Sequence, residues 1–168
     1  MEFETKVQFL TQPEHNRRTI VISDIHGHRA WLEKLLKKVD FSEKDILIIV
    51  GDMIEKGPES LNTIRYIMEL CEKYTVYPMM GNVDLWRIQM LLTEDGSLDQ
   101  ELYETNERMR QYWKATFFQD LCREAGVSVK TPEEIPAARE AVVAKFQKEF
   151  TFMKELPTIL VTPVFTFV

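Results

Sequence analysis

The stretch of sequence that decides the fold is TIVISDIHGH, residues 19–28. It opens with the β-branched run Thr19–Ile22, which predicts a short strand, and passes directly into the polar cluster Ser23–His28. Residues 29–38 follow with apolar side chains at helical spacing, which predicts a helix with one apolar face, formed by Trp31, Leu32, Leu35 and Leu36. A strand, a polar loop and a helix in this order predict the first unit of an α/β fold.

Two more strands of the same kind are predicted further along the chain. Residues 46–50, ILIIV, form an unbroken apolar run, which is typical of a strand covered on both faces. Gly57-Pro58 is predicted to open the next helix, whose apolar positions recur every three or four residues at Leu61, Ile64, Met68 and Cys71. A third strand is predicted around residues 75–79, before Gly81. Strands that alternate with helices predict a mainly parallel βαβαβ sheet with right-handed crossovers.

The second half of the chain has a different pattern, and we predict a helical region from residue 85 to about residue 156. Breaks are predicted near residues 95–97 and 126–128, where glycine and serine interrupt the pattern. Two apolar stripes at four-residue steps are predicted to lie in the core: Met109, Trp113, Phe117 and Leu121 in one, and Ala138, Val142, Phe146 and Phe150 in the other.

A short turn and two β-rich pieces complete the predicted elements. Residues 131–134, TPEE, have the form of a capping box and predict a short turn before the helix that carries the second stripe. After Leu156-Pro157, the β-rich pieces 158–162 and 164–168 flank Pro163. We therefore predict one α/β domain over residues 1–168, with a mainly parallel sheet and a helical region at 85–156.

Composition and charge argue against several classes of protein. The chain has 21 Lys and Arg against 27 Asp and Glu, a net charge of −6, which argues against a general nucleic-acid binder. No apolar run approaches the ~18 residues of a membrane span, and the start, MEFETK, does not resemble a signal peptide. Cys71 and Cys122 give neither a disulfide framework nor a metal-binding motif. We expect a soluble, cytoplasmic protein without membrane partners.

Polar clusters follow the three predicted strands, at residues 23–28, 51–57 and 81–84. The carboxyl ends of parallel strands share one edge of a sheet, where ligands usually bind. We therefore expect four side chains to converge there: Asp24, His26, Asp52 and Asn82. Two carboxylates, an imidazole and an amide oxygen suit Mn²⁺, Fe or Zn²⁺. The simpler alternative is that Asp24 caps a helix and His26 is a surface loop residue.

The ordered clusters resemble the motifs of calcineurin-like metallophosphoesterases, in particular the branch that contains Ser/Thr protein phosphatases and their bacterial relatives. The family motifs are Asp-x-His-Gly, Gly-Asp-x-x-(Asp)-Arg-Gly and Gly-Asn-His-(Asp/Glu), and they match Asp24–Gly27, Gly51–Gly57 and Gly81–Asp84 in the same order. The resemblance is close from residue 19 to about residue 86. It implies a phosphoesterase that hydrolyses phosphate esters with a metal-activated water and no protein nucleophile.

The resemblance also implies a role for each predicted ligand. Asp24 and His26 would hold the first of two divalent ions. Asp52 would bridge both ions, and Asn82 would hold the second. Mn²⁺ is the expected ion, with Fe or Zn²⁺ as alternatives. The substrate would be phosphorylated, and among relatives it is a phosphoprotein, a dinucleoside polyphosphate or a phosphodiester.

Some positions depart from the family motifs. Lys56 stands where the family has a phosphate-binding arginine, and it offers a point charge instead of a bidentate fork. Lys56 and Arg87 are predicted to bind substrate phosphate, although either could be a solvated surface cation. Val83 replaces a family histidine and cannot move a proton, so no catalytic acid or base is predicted there. Asp84 is expected to cap a helix.

A larger departure is that no histidine follows His28, whereas the family completes its second metal site with later histidines. The strand-like segment 164–168 lies where the family leads into the next histidine loop, so we expect a chain shortened relative to the family. Such a chain would hydrolyse phosphate esters poorly, and its exposed sheet edge would favour a homodimer. The alternative is a non-catalytic remnant that binds at most one metal. A receiver domain phosphorylated at Asp52 fits the helical second half poorly.

Overall fold

The computed structural model describes residues 5–10, 17–92 and 115–168. The strands in these residues are β1 (Val7–Phe9), β2 (Thr19–Ile22), β3 (Ile46–Val50), β4 (Thr75–Met79), β5 (Ile159–Val161) and β6 (Thr166–Phe167). The helices are α1 (Arg29–Lys38), α2 (Ser60–Lys73), α3 (Asn82–Leu91), α4 (Thr116–Ala125), α5 (Ile135–Lys145) and α6 (Gln147–Glu155). A 3₁₀ turn at Pro132–Glu134 precedes α5, where the sequence predicts a short turn.

Strands β2, β3 and β4 form a parallel sheet in that order, which confirms the predicted α/β class. Ile22 pairs with Ile49, and Val50 pairs with Met79, so the three strands end almost level with one another. The residues that follow each strand therefore meet at one edge of the sheet. This alignment is what brings together polar clusters that are far apart in sequence.

The two faces of the central strand β3 pack against different layers. Leu47 and Ile49 are buried in the main core with the helices, whereas Ile48 lies in a second cluster with Met79 and Leu160. Successive side chains of a strand point to opposite faces. Helices therefore cover one face of the parallel sheet, and β5 packs on the other, which explains why residues 46–50 are apolar throughout.

Strands β1, β5 and β6 form a second, smaller sheet. β1 runs parallel to β5, and β5 runs antiparallel to β6. The two later strands lie within the predicted pieces 158–162 and 164–168. The sequence does not predict β1, because three residues with the pattern Val-Gln-Phe carry too little periodicity to indicate a strand.

The helical second half supplies much of the main core. Both predicted stripes are buried where the structure describes them, at Phe117, Leu121, Ala138, Val142, Phe146 and Phe150. Met109, Trp113 and the break predicted near 95–97 lie outside the described residues. α4 ends at Ala125, and the following Gly126 takes a left-handed φ of 77°, which confirms the second predicted break. None of the described helices is long and apolar enough to cross a bilayer.

Two helix boundaries differ from the prediction. α2 begins at Ser60 and not at Gly57-Pro58, because the Gly57 and Glu59 N–H groups donate hydrogen bonds to carbonyls of the His26–Gly27 loop. The helix predicted to run through Phe146 is divided there into α5 and α6. Phe146 takes a φ of −110° and a ψ of 32°, outside the helical region, while its ring stays buried.

The predicted apolar face of α1 is buried over only half of its residues. Leu32 and Leu36 are buried, whereas Trp31 is 69% exposed and Leu35 is 41% exposed. Leu32 and Leu36 belong to the main core, and α2 packs against α1. The indole of Trp31 instead stacks on the imidazole of His28.

Candidate metal centre

The structure brings Asp24, His26 and Asp52 together at the carboxyl edge of the parallel sheet. His26 Nε2 lies 3.5 Å from Asp24 Oδ1 and 3.8 Å from Asp52 Oδ2. One ligand atom from each residue lies within 4.8 Å of the others. The three side chains come from the loops that follow β2 and β3, so the level ends of those strands position them.

The backbone of these two loops is strained where the ligand residues lie. Asp24, His26 and Asp52 have φ values of 55°, 47° and 51°, in the left-handed region that residues other than glycine rarely adopt. Glu55 and Lys56, with φ of 72° and 67°, share this conformation. Such strain persists only where surrounding contacts impose it, and it clusters at functional sites.

Backbone hydrogen bonds between the loops impose this conformation. The N–H groups of Asp24, His26 and Gly27 donate to the carbonyls of Gly51, Asp52 and Met53 respectively. Glycines allow the close approach, since a Cβ on Gly51 would lie 2.3 Å from the Gly81 Cα. The loops after all three strands are therefore packed backbone against backbone.

The imidazole of His26 is oriented as a metal ligand. His26 Nδ1 lies 3.1 Å from the Ile54 carbonyl oxygen, which can only accept, so Nδ1 carries the proton. Nε2 then carries a lone pair on the side of the two carboxylates, where all three groups could bind one cation, and a backbone partner of this kind fixes the tautomer in metal sites. Two carboxylates and one neutral imidazole form a donor set that fits a divalent cation.

Lys56 lies against the same imidazole nitrogen. Its ammonium is 2.7 Å from His26 Nε2, and as a donor it uses the lone pair that a metal ion would also need. Lys56 is predicted to contact phosphate, and the structure places it beside the predicted metal ligand His26. Its contact with phosphate stays a prediction.

The fourth predicted ligand, Asn82, is the first residue of α3, and the residue that follows it contacts Asp52. The N–H of the following residue, Val83, donates to Asp52 Oδ1 at 3.1 Å. This hydrogen bond holds one oxygen of Asp52 and leaves Oδ2 toward His26. Asn82 itself is exposed, and its role as a ligand of a second ion stays a prediction.

Asp84 has a larger role than the helix cap that the sequence predicts. Its buried carboxylate accepts hydrogen bonds from the N–H groups of Met53, Ile54 and Gly81 at 2.9, 3.1 and 3.0 Å. Burial raises its pKa to about 6, and the negative charge of Asp52 contributes to the shift. Asp84 thus joins the loops after β3 and β4, a role that Gly-Asn-x-Asp alone did not reveal.

Arg87 forms an ion pair with Glu55, in the loop after β3. The Arg87 Nε lies 2.9 Å from Glu55 Oε2, and the Thr116 N–H and hydroxyl donate to Glu55 Oε1. Burial opposes ionisation of Glu55, but Arg87 and these hydrogen bonds outweigh it and lower its pKa. Glu55 therefore anchors the start of α4 to the ligand-bearing loop. Arg87 as a phosphate contact stays a prediction.

Comparison with known proteins agrees with this geometry. The family model for calcineurin-like phosphoesterases matches residues 17–140. A symmetrical bis(5′-nucleosyl)-tetraphosphatase from Shewanella loihica is 46% identical over 68 residues, which is 40% of this chain and 24% of that protein. An enzyme with the same description from Coxiella burnetii is 34% identical over 92 residues, 54% of this chain and 30% of that protein.

The matched segments thus span less than a third of the length of these curated relatives. A crystal structure described as a candidate diadenosine tetraphosphatase superposes with a TM-score of 0.56 and 25% identity, covering 95% of this chain and 51% of that one. The family match includes all three motif loops and most of the helical region. The chain therefore belongs to the calcineurin-like phosphoesterase family.

Proposed function

We propose that this chain is a metal-dependent phosphoesterase that hydrolyses phosphate esters with a metal-activated water. The observation that carries the proposal is the cluster of Asp24, His26 and Asp52, whose ligand atoms lie within 4.8 Å of one another. The strained loops that hold these residues and the family match both support it.

Each residue has a separate task in the proposed mechanism. Asp24 and His26 would hold one divalent ion, with Mn²⁺ as the proposed metal, Asp52 would be shared between this ion and a second one, and Asn82 would help to hold the second. When bound, such ions acidify a water molecule and neutralise phosphate oxygens. The Ile54 carbonyl fixes the His26 tautomer, and the Val83 N–H orients Asp52.

The proposed substrate is a dinucleoside polyphosphate, ahead of a phosphoprotein or a phosphodiester. The support is that relatives 46% and 34% identical in the matched segments are described as bis(5′-nucleosyl)-tetraphosphatases. Because the net charge is −6, attraction for an anion must come from bound metal and local cations. Lys56 lies within reach of the metal ligands, and Arg87 is the second proposed phosphate contact.

We further propose that turnover by this 168-residue chain is weak. No histidine follows His28, so Asp52 and Asn82 are the predicted ligands of the second ion. Val83 cannot protonate a leaving group, a contribution that is typically worth about 10²–10⁴-fold. A chain that binds one metal ion without turnover would fit the alternative of a non-catalytic remnant.

We also propose that residues 1–168 form a single domain and that the protein is cytoplasmic.

We propose further that the chain self-associates through a sheet edge. β1 lies at the edge of the second sheet, and Phe9 on it is largely exposed. Unpaired backbone groups and apolar side chains on such an edge favour pairing with a second copy. Sedimentation velocity should show a dimer that Phe9→Lys disrupts.

Loss of diadenosine tetraphosphate in the presence of Mn²⁺, followed by chromatography, tests the proposed function. We expect slow, metal-dependent hydrolysis by the wild type and none by Asp52→Asn. Asp40→Asn is the control, because Asp40 also has a left-handed φ but lies beyond α1, outside the metal centre. Hydrolysis that survives in Asp52→Asn would contradict the proposed role of the cluster.

A further inference from the structure

An exposed aromatic stack lies at the edge of the metal centre. The rings of His28 and Trp31 have centroids 4.6 Å apart and an interplanar angle of 16°. His28 is the N-cap residue of α1, and the Trp31 N–H donates to its carbonyl oxygen at 3.0 Å. One turn of helix thus fixes the two rings face to face, and the indole remains 69% exposed.

Packing against the core does not explain why residue 31 is a tryptophan. Leu32 and Leu36 fill the contact of α1 with the main core, whereas a large indole in water forgoes the free energy of burial. The exposed large apolar residues of α1 are Trp31 and Leu35, and the same helix carries charged side chains at Arg29, Glu33 and Lys34. This apolar surface has the size of one or two rings, far below that of a protein interface.

The stack lies close to the residues that would bind phosphate. His28 follows His26 by two residues, so their Cα atoms are at most about 7 Å apart. The intervening loop is held by the His28 N–H, which donates to the Ile25 carbonyl at 3.1 Å. The stack is therefore one short loop away from His26, and a nucleotide whose phosphates lie at a metal ion held by Asp24 and His26 would have these rings as its neighbouring aromatic surface.

We propose that Trp31, supported by His28, is the stacking surface for one nucleobase of a nucleoside polyphosphate. This inference rests on the proposed function, because it needs the phosphates to lie at the metal centre. Aromatic side chains bind bases through stacking that depends little on base identity. The stack therefore adds affinity for the nucleoside without selecting one base, while the metal centre recognises the phosphates.

Calorimetric titration of the Mn²⁺-loaded chain with ADP and with inorganic pyrophosphate tests this inference. We expect Trp31→Ala to weaken ADP binding by about 5- to 150-fold and to leave pyrophosphate binding unchanged. Trp31→Phe should retain most of the ADP affinity, since it keeps an aromatic face. Leu35→Ala is the matched control on the same helix and should bind both ligands like the wild type.

The two ligands separate failure of this inference from failure of the proposed function. Wild type that binds ADP no more tightly than pyrophosphate would overturn the stacking role while the phosphate site stands. Equal loss of both ligands in Trp31→Ala, or a dimer that Trp31→Ala dissociates, would also overturn it. Trp31-dependent ADP binding without pyrophosphate binding would support the stack and contradict the phosphate site.

Discussion

The Lys56 ammonium and a metal ion would both use the same lone pair, on Nε2 of the His26 imidazole. Lys56 Nζ lies 2.7 Å from Nε2, so metal binding must displace this hydrogen bond. We expect Lys56→Met to bind Mn²⁺ about fivefold more tightly, because one hydrogen bond contributes about 1 kcal/mol and a nearby positive charge is removed. Calorimetry with Lys34→Met as the control measures this, and unchanged or weaker affinity in Lys56→Met would contradict it.

Asp84 links the loops after β3 and β4 through the hydrogen bonds that its side chain accepts. Its carboxylate accepts three backbone hydrogen bonds, whereas the amide of an asparagine would turn an NH₂ group toward an N–H donor. We expect Asp84→Asn to lower the free energy of unfolding by about 1–3 kcal/mol. Urea unfolding of Asp84→Asn beside the exposed Glu140→Gln measures the loss, and equal stability of the two variants would refute it.

At the scale of elements, the loops after β3 and β4 require glycine at their contact. A Cβ on Gly51 would add a 2.3 Å clash with Gly81 to an unfavourable left-handed φ. Gly126, at φ 77°, has the same backbone conformation but no atom within 4 Å of the added Cβ. We expect Gly126→Ala to cost about 1–2 kcal/mol from φ alone, and Gly51→Ala to cost about 1–3 kcal/mol more.

Thermal or urea unfolding of these two alanine variants separates the clash from the backbone penalty. Equal losses of stability would show that the loops move apart without cost. Gly51→Ala should also weaken Mn²⁺ binding, since the residue after it is Asp52. Gly126→Ala should not, because it lies at the end of α4.

The starts of β2 and β3 are joined by an ion pair that makes stability depend on pH. Arg18 Nε lies 2.9 Å from Asp45 Oδ1, and this hydrogen bond lowers the pKa of Asp45 to about 2. The folded pKa lies below the unfolded value, so the stabilisation is present above about pH 4 and is lost as the pH falls toward 2. Asp45→Asn should therefore lose less stability than the wild type over this range. Parallel acid-unfolding curves would contradict the prediction.

Elements with strong local patterns could be predicted from the sequence, and the parallel arrangement followed from their order. Residues 19–22 and 46–50 carry unbroken β-branched and aliphatic runs, and each is followed by a polar cluster. Parallel strands must end at a common edge, so Asp24, His26 and Asp52 could be placed together without knowing any contact.

Features that depend on distant contacts could not be predicted. β1 exists because it pairs with β5, a strand about 150 residues later, as in the pair Val7 and Ile159. The start of α2 is delayed by hydrogen bonds to the loop after β2, and Trp31 is exposed because other side chains fill the contact of α1. The contact of Lys56 with His26 likewise requires two loops to meet.

For the whole molecule, the central claim is that the level ends of the parallel strands build a divalent-metal site in a chain of net charge −6. In the proposed site, Asp52 would supply negative charge at the centre, while Asn82 would offer one neutral oxygen at the margin. An asparagine at position 52 retains an oxygen that can accept the Val83 N–H, so the fold should persist while the charge is lost.

Mn²⁺ titration calorimetry of the wild type, Asp52→Asn and Asn82→Ala, with circular dichroism to verify folding, tests that claim most directly. We predict that the wild type binds Mn²⁺, that Asp52→Asn weakens the affinity at least about tenfold, and that Asn82→Ala weakens it less. Equal affinity in the wild type and a folded Asp52→Asn variant would contradict a metal centre built on Asp24, His26 and Asp52.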